Sequence, residues 1–330
     1  MKPGFLKGLK LDASGLKAAL QNDLGRVDEF MNGALGSEIP YIDKLSDEVF
    51  QASGKKLRPA LVILAAGDPG GSSESTILAG SVVEMIHTAT LLHDDVVDAS
   101  ILRRGRATLN ARFGDGPAIL MADYIYSRAI TLLVEAELTQ VLSLLAWTVH
   151  KMSIGELLQL ELKERGLLDR EAYYQVIYEK TARLIEGSCR SGAILGGRNA
   201  AEVEALSTFG RSIGMSFQIV DDVLDYQSDE GTLGKPVGSD LGEGKQTLPL
   251  LLAYESANET TRTRMREMLG KAESLPELVE IVREAGGPEA AMEEARRLGR
   301  EAQEALETLP KGRVREALEA TASFVTQRES

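Results

Sequence analysis

Six aspartates have the residue type and the spacing to hold divalent cations. They form two groups with one pattern, a pair followed by a third aspartate three positions later: Asp94, Asp95, Asp98 and Asp221, Asp222, Asp225. In a helix, residues three or four positions apart share a face, so each group places like charges side by side. A cation removes this repulsion. Mg²⁺ suits the position because it prefers oxygen ligands, keeps several waters and bridges to substrate phosphates.

Both aspartate groups stand in helical, apolar segments. Residues 81–97 carry apolar side chains on nearly every helical face, which is typical of a buried helix. His87 precedes Asp94 by seven residues and so lies nearly in line with it. In the second segment, Gln218 and the aspartates form one polar stripe. One such motif could be a solvated helix end, but two copies in apolar helices predict a wet cavity that holds cations.

Basic residues near the aspartates could bind phosphate. Lys55 and Arg58 stand where Pro59 opens a helix, and the free backbone N–H groups of a helix start also favour anions. Arg103 and Arg104 follow the first aspartate group. Arginine makes bidentate phosphate contacts and lysine acts as a point charge. Alone, each pair would be a solvated basic turn; beside the aspartates, both favour a diphosphate site.

These motifs, with residues 54–59 and the sequence Arg103-Arg104-Gly105, resemble those of the all-trans polyprenyl diphosphate synthases. The resemblance extends over about residues 28–252, and its motifs occur in the family's order. The chain departs from the family pattern at three positions, where relatives often have Gly, Arg and Gly: Ser53, Lys56 and Ala122. None of these departures removes a charge that the chemistry needs.

The resemblance implies head-to-tail condensation of isopentenyl diphosphate with an allylic diphosphate primer. It implies four ligands of isopentenyl diphosphate: Lys55, Arg58, His87 and Arg104. Arg103 would contact the allylic diphosphate. Further residues would bind that diphosphate or stabilise the developing carbocation: Lys180, Thr181, Gln218 and Lys235, the first three being the predicted catalytic residues. Asp240 and Lys245 lie in a loop that also matches.

We expect Mg²⁺ as the cofactor, with three ions, two at the first motif and one at the second. Ions held by Asp94, Asp98 and Asp221 would neutralise the charge of the leaving diphosphate. The other three aspartates would orient waters or ligands. No side chain is an obvious strong base, so the departing diphosphate is the expected proton acceptor.

Product length is predicted from the turns before Asp94. Ile86, Ala89 and Thr90 form one face there, and in the family this wall limits the product. Short-chain members place aromatic rings four or five residues before the motif, where this chain has small residues. We therefore expect a hexaprenyl to decaprenyl product for quinone side chains. The alternative is that Ala89 only allows two helices to pack closely.

Composition restricts the class of protein and its partners. The chain has 330 residues, 43% of them hydrophobic, and a net charge of −13, which argues against a nucleic-acid partner. Its single cysteine, and the lack of a secretory pattern or a run of ~18 apolar residues, favour a cytoplasmic location. We expect peripheral membrane contact for product release and, from the family, a homodimer.

The pattern predicts an all-α fold, with helices near 117–136, 139–165, 170–190 and 201–228 and a Gly-rich loop at 229–244. We interpret residues 1–330 as one domain, a helical bundle around a central cavity with the two aspartate motifs on facing helices. Within it, residues 1–24 would be an N-terminal arm and residues 256–330 the C-terminal helices.

Three alternatives stay open. A terpene cyclase or head-to-head synthase shares one aspartate motif, but the basic cluster of Lys55, Arg58 and Arg104 indicates a second diphosphate pocket that a cyclase does not need. A non-catalytic partner subunit would not need intact ligands in both motifs. A short-chain farnesyl or geranylgeranyl diphosphate synthase differs only in product length.

Overall fold

The structure is a computed structural model that describes residues 15–51, 56–103, 105–166, 168–227 and 237–327. Nearly all of these residues are helical, which confirms the predicted all-α class. The helices are α1 (Leu16–Ala34), α2 (Pro40–Gln51), α3 (Leu57–Ala66), α4 (Glu74–Val97), α5 (Leu109–Phe113), α6 (Asp115–Glu135), α7 (Thr139–Arg165), α8 (Arg170–Ile177), α9 (Arg183–Leu195), α10 (Ala200–Gln227), α11 (Ser239–Gly242), α12 (Leu248–Ser256), α13 (Glu259–Met268), α14 (Leu275–Glu284), α15 (Gly287–Ala305) and α16 (Arg313–Thr326).

Shorter turns and strands make up the remaining secondary structure of the described residues. A π-helical turn, Tyr178–Ala182, joins α8 to α9, and 3₁₀ turns lie at Ala272–Ser274 and Leu306–Thr308. The antiparallel strands β1 (Leu102–Arg103) and β2 (Arg106–Ala107) form a hairpin where the sequence predicted only a basic loop.

The chain divides into two compact units. Unit 1 consists of the described residues of 1–149, 187–207 and 308–320, and unit 2 of those of 150–186, 208–307 and 321–330. The first aspartate group lies in unit 1 and the second in unit 2. Of residues 256–330, the described ones contribute to both units. That residues 1–330 fold as one domain stays a prediction.

Unit 1 begins with a core helix where the sequence predicted an arm. Leu16, Leu20 and Leu24 are at most 2% exposed. They recur every four residues and so form the apolar stripe of α1. The prediction of an arm over residues 1–24 does not describe the residues from Leu16 onward, which belong to the core. Residues 1–14 lie outside the described part of the chain.

Close helix packing fixes the centre of unit 1. The buried stretch of α4 includes Val82, Val83 and Met85, each with no exposed surface. A Cβ added at Gly192 in α9 would lie 2.1 Å from the Val62 carbonyl oxygen of α3. Only glycine permits that approach, so the sequence holds α3 and α9 in backbone contact.

Unit 2 surrounds the second aspartate motif with apolar side chains. Ile219, Val220 and Val223 of α10 are fully buried in a cluster that includes Ala291 and Ala295 of α15. A second cluster forms around Tyr226, with Leu250 and Val282 among its members. The polar stripe of α10 thus lies on a helix whose other faces are in the core, as the sequence predicted.

Within the described part of the chain, two helices are long and apolar enough to cross a membrane by length and composition, α4 and α6, although no apolar run of the sequence had suggested one. The most apolar part of α4 is 67% buried in the protein, as in an ordinary core helix, but that of α6 only 39%. Leu120 and Val134 of α6 are 68% and 56% exposed.

Candidate active site

The first aspartate group lies at the C-terminal end of α4. Asp94 and Asp95 are in its last turn, and Asp98 is the C-cap, its backbone N–H donating to the Asp94 carbonyl at 2.8 Å. The C-terminal end of a helix carries a partial negative charge, so three carboxylates there are unfavourable without a cation. The second group lies in the last two turns of α10, and the same argument applies.

A basic cavity of about 100 Å³ lies in unit 1 beside the first motif. One face of α4 lines it with Glu84, Thr88, Leu91 and Asp95, at the i, i+4, i+7, i+11 spacing of a helix. Five basic side chains also line it, one of them on α4 itself: Lys56, His87, Arg103, Arg106 and Arg112. Their concentration in a chain of net charge −13 makes this cavity suited to an anionic ligand such as a diphosphate.

Carboxylates hold several of these cations in place. Arg103 Nε donates to Asp95 Oδ1 at 2.8 Å. Lys56 Nζ lies 2.8 Å from Asp28 Oδ1 and 3.8 Å from Glu84 Oε1, and its side chain is only 5% exposed. Such pairs fix the orientation of the basic groups before any ligand binds.

The structure brings together only some of the predicted ligands of isopentenyl diphosphate. His87 and Arg103 line the basic cavity, and Arg58 is the second residue of α3, half-buried. Lys55, Arg104 and Lys235 lie outside the described residues. Sequence reasoning missed three cavity residues: Lys56, Arg106 and Arg112. The signal for these two arginines was that both follow closely after the Arg103-Arg104-Gly105 sequence.

Unit 2 has a cavity of about 150 Å³ that the three predicted catalytic residues line together, Lys180, Thr181 and Gln218. Asp222, Asp240 and Lys245 also line it, as do five polar residues that the sequence analysis did not single out: Gln159, Lys163, Tyr173, Gln246 and Thr247. Lys180 Nζ lies 2.5 Å from Glu156 Oε2, and Lys245 Nζ 3.3 Å from Asp240 Oδ1.

A π-helical turn shapes the backbone at Lys180 and Thr181. Such turns are rare and often occur at functional sites. A Cβ at Gly155 of α7 would lie 2.7 Å from the Lys180 backbone nitrogen, and one at Gly214 of α10 would lie 2.6 Å from the Ala182 Cα. The two glycines therefore let α7 and α10 pack directly on the backbone that carries the predicted catalytic pair.

A continuous set of hydrogen bonds links Thr181 to the second motif. Thr181 Oγ1 donates to Gln218 Oε1 at 2.9 Å, and Gln218 Nε2 donates to Asp222 Oδ1 at 2.9 Å. Tyr173 Oη donates to Asp222 Oδ2 at 2.7 Å. Burial, and then the charge of Asp240, raise the pKa of Asp222 to about 8, although both hydrogen bonds act to lower it.

Asp225 has a different partner set from Asp222. Ser239 Oγ donates to its Oδ1 at 2.9 Å and the Asp240 N–H to its Oδ2 at 3.0 Å. Burial, and then the charge of Asp240, raise the pKa of Asp225 to about 6. This carboxylate thus ties the start of α11 to the second motif.

The donor set fits Mg²⁺. Among the described residues, no three side chains of His, Cys, Asp or Glu are grouped closely enough to form a preformed metal centre. Mg²⁺ does not require one, since it is usually bound through one or two carboxylates together with substrate phosphates and water. Adjacent carboxylates at the negative ends of two helices provide this, and Asp94, Asp98 and Asp221 are the residues that would hold the ions.

The predicted chain-length residues lie on a different face of α4 from the basic cavity. Ile86 and Ala89 are buried, and Thr90 is half-buried with its Oγ1 donating to the His87 carbonyl at 2.8 Å. None of the three is among the residues that line the basic cavity. Their predicted role as a wall for the product stays a prediction.

Comparison with known proteins identifies the family. Residues 39–285 match the polyprenyl synthetase family model. The chain is 40% identical over 299 residues to an octaprenyl diphosphate synthase of Haemophilus influenzae, covering 90% of this chain and 91% of the relative. It is 38% identical over 292 residues to a short chain isoprenyl diphosphate synthase of Methanothermobacter thermautotrophicus, covering 87% and 90%.

A solved structure resembles the whole fold. The polyprenyl synthase of Caulobacter crescentus, crystallised with calcium and isoprenyl diphosphate, matches with a TM-score of 0.90 and 33% identity over the full length of both chains. The family and the enzyme class predicted from the sequence are thereby confirmed. With both aspartate motifs and their basic neighbours in place on this fold, the chain belongs to the polyprenyl synthetase family.

Proposed function

We propose that this protein condenses isopentenyl diphosphate with an allylic diphosphate, head to tail, to make a long-chain all-trans polyprenyl diphosphate. The observation that carries the proposal is that each aspartate motif adjoins a cavity with basic side chains, five of them in unit 1. A transferase that joins two diphosphates needs two anion sites, whereas a cyclase needs one. The octaprenyl relative at 40% identity supports the same reaction.

The described side chains divide the work between the two cavities. In unit 1, His87 would bind isopentenyl diphosphate and Arg103 would contact the allylic diphosphate, with Lys56, Arg106 and Arg112 as further cations. In unit 2, Lys180 would bind the allylic diphosphate, while the Thr181 and Gln218 oxygens face the developing carbocation as fixed dipoles. Bound Mg²⁺ would neutralise the charge of the departing diphosphate. We propose three ions, two held by Asp94 and Asp98 and one by Asp221.

A long product is favoured by the small side chains before the first motif. Ala89 and Thr90 stand where short-chain family members have aromatic rings, so neither position would place a ring in the path of a growing chain. Each helical turn adds ~5.4 Å of depth, about the length of one isoprene unit. The short-chain relative at 38% identity keeps a farnesyl or geranylgeranyl product as the second candidate.

We propose a homodimer formed through α6. Leu120, Tyr124, Ser127, Thr131 and Val134 recur at the heptad-like spacing of helix packing, and Leu120 and Val134 are more than half exposed. Such an apolar face on a soluble protein is typical of an interaction surface, and a second copy of α6 supplies the matching one. The buried, single Cys189 supports a cytoplasmic location, from which the product would be released by peripheral contact with a membrane.

The test is a reconstituted reaction with purified protein. Pyrophosphate release should require both substrates and Mg²⁺, and chromatography of the dephosphorylated product should show chains of six to ten isoprene units. Pyrophosphate release from the allylic diphosphate alone would indicate a cyclase. If the purified protein is inactive and activity appears only after another subunit is added, the chain would be a non-catalytic partner.

A further inference from the structure

Tyr173 contacts the predicted catalytic network although it is not part of either motif. It lies in α8, the helix that leads into the π-helical turn, and only 4% of it is exposed. Its ring belongs to the apolar cluster around Ile219 and Val223, and its Oη donates to Asp222 Oδ2 at 2.7 Å. The contact joins residues 49 positions apart.

The hydrogen-bond chemistry fixes the direction of every bond in this network. Asp222 accepts at both of its oxygens, from Tyr173 Oη and from Gln218 Nε2, whereas an amide has one donating and one accepting end. Because Asp222 accepts from the Gln218 amide nitrogen, the amide oxygen must point to Thr181. Thr181 then has to donate its single proton to Gln218. The hydroxyl can offer a ligand in the cavity only oxygen lone pairs.

We propose that Tyr173 is a positioning residue for prenyl transfer: by holding the second oxygen of Asp222, it keeps the Gln218 amide turned so that the Thr181 oxygen presents lone pairs to the allylic carbocation. The proposal rests on the proposed function. Lone pairs stabilise a cation but repel the oxygens of a diphosphate. Tyr173 therefore acts on turnover and not on the binding of either substrate.

Two other roles would produce the same contact. A buried tyrosine needs a partner for its hydroxyl, so Asp222 could be only that partner. Alternatively, Asp222 could be an ion ligand, with Tyr173 fixing a metal site. These roles differ from the proposal in what they predict for kcat, KM and the Mg²⁺ requirement.

The first experiment compares Tyr173→Phe with Tyr174→Phe. The adjacent Tyr174 also hydrogen-bonds a carboxylate, Glu294, which does not line the cavity, so it is a matched control. Tyr173→Phe should lower kcat by about 10- to 100-fold, the effect of one hydrogen bond to a charged group. Both KM values and the Mg²⁺ half-saturation should stay within about twofold, as for an interaction made in the transition state. The control should be close to wild type in all of these.

A double-mutant cycle separates positioning from a structural role. In the Thr181→Val background, Tyr173→Phe should lower kcat further by about threefold at most, because the hydroxyl it orients is gone. If the two substitutions lower kcat by independent factors that multiply in the double variant, the proposal is overturned. A wild-type kcat in Tyr173→Phe would also overturn it. Recovery of the Tyr173→Phe kcat at a higher Mg²⁺ concentration would do so as well, because it would indicate that Asp222 is an ion ligand.

Asp222→Asn provides a second variant should Tyr173→Phe not fold. An asparagine of the same shape that accepts from Tyr173 must donate to Gln218, which turns the amide around. The kcat should then fall by a similar factor with the Mg²⁺ half-saturation unchanged. A wild-type protein without prenyl product would refute the proposed function itself, whereas an active wild type with unaffected variants would refute only the role of Tyr173.

Discussion

The six aspartates differ in what surrounds their carboxylates. Asp95, Asp222 and Asp225 are 4%, 4% and 8% exposed and accept hydrogen bonds from neighbouring side chains. Asp94 and Asp221 are half-buried and Asp98 is exposed. This division supports the prediction that Asp95, Asp222 and Asp225 orient the site and that the other three bind ions, because a hydrated ion bound to a diphosphate can reach a carboxylate only where it is accessible.

Removing an ion ligand should nearly abolish turnover. In Asp94→Ala or Asp221→Ala we expect kcat to fall about a thousandfold, since a clamping ion stabilises the leaving charge by several kcal/mol. Circular dichroism should stay unchanged. Asp47→Ala, an exposed aspartate of α2, is the control and should retain activity. Turnover within about tenfold of wild type in either motif variant would contradict the ion clamp.

At the scale of elements, glycines determine how closely helices approach the site. Gly155 and Gly214 bring α7 and α10 onto the backbone of the π-helical turn, with Cβ positions 2.7 Å and 2.6 Å from its atoms. Real Cβ contacts are never so short, so any larger residue must displace the turn. The position of Lys180 and Thr181 thus depends on two residues that carry no functional group.

Gly155→Ala should lower activity more than stability. We expect kcat to fall tenfold or more, since a displacement of ~1 Å can cost about 100-fold, while overpacking lowers the free energy of unfolding by about 1–3 kcal/mol. Steady-state kinetics and thermal unfolding measure the two effects. Gly25→Ala on the exposed face of α1, where a Cβ meets nothing within 4 Å, should leave both near wild type. An unaffected kcat in Gly155→Ala would show that the turn adapts.

One face of α4 lines the basic cavity, and another carries the predicted chain-length residues Ile86, Ala89 and Thr90. The role of the second face can be tested by introducing larger side chains there. Ala89→Phe should shorten the product to about geranylgeranyl or farnesyl diphosphate without abolishing activity, because one turn of ~5.4 Å corresponds to about one isoprene unit. Thr90→Phe, at a half-buried neighbour, should shift the product similarly with less overpacking. An unchanged distribution in active, folded variants would mean that Ala89 serves only helix packing.

At the scale of the whole molecule, surface composition is uneven. The net charge of −13 makes the chain acidic overall, yet α6 exposes large apolar side chains at one helical spacing. The basic cavity of unit 1 is a local exception to the acidic surface. Our proposals therefore assign association and substrate binding to two distinct parts of unit 1.

Disrupting the exposed face of α6 should convert a dimer into monomers. We expect Leu120→Arg to elute and scatter light with the mass of one chain, because a buried arginine without a partner is costly at an interface. Wild type should have the mass of two chains. Glu304→Arg on the exposed face of α15 controls for the change in charge. A monomeric wild type would exclude the proposed dimer.

Local pattern alone determined much of this protein. The helix predicted at 139–165 is α7 to the residue, and the patterns at 117–136 and 201–228 differ from α6 and α10 by at most two residues. Helical period is a property of neighbouring residues, so it can be read without tertiary contacts. The aspartate groups and their basic neighbours were equally accessible, because their chemistry depends on residue type and short spacing.

Tertiary structure decided which side chains meet. The Lys56 pairs with Asp28 and Glu84, the bond between Tyr173 and Asp222, and the glycine contacts with the π-helical turn all join residues distant in sequence. No period of neighbouring residues encodes such pairs, since they exist only once helices pack. The same holds for α1, whose leucines became core residues, not an arm, because other helices of unit 1 cover them.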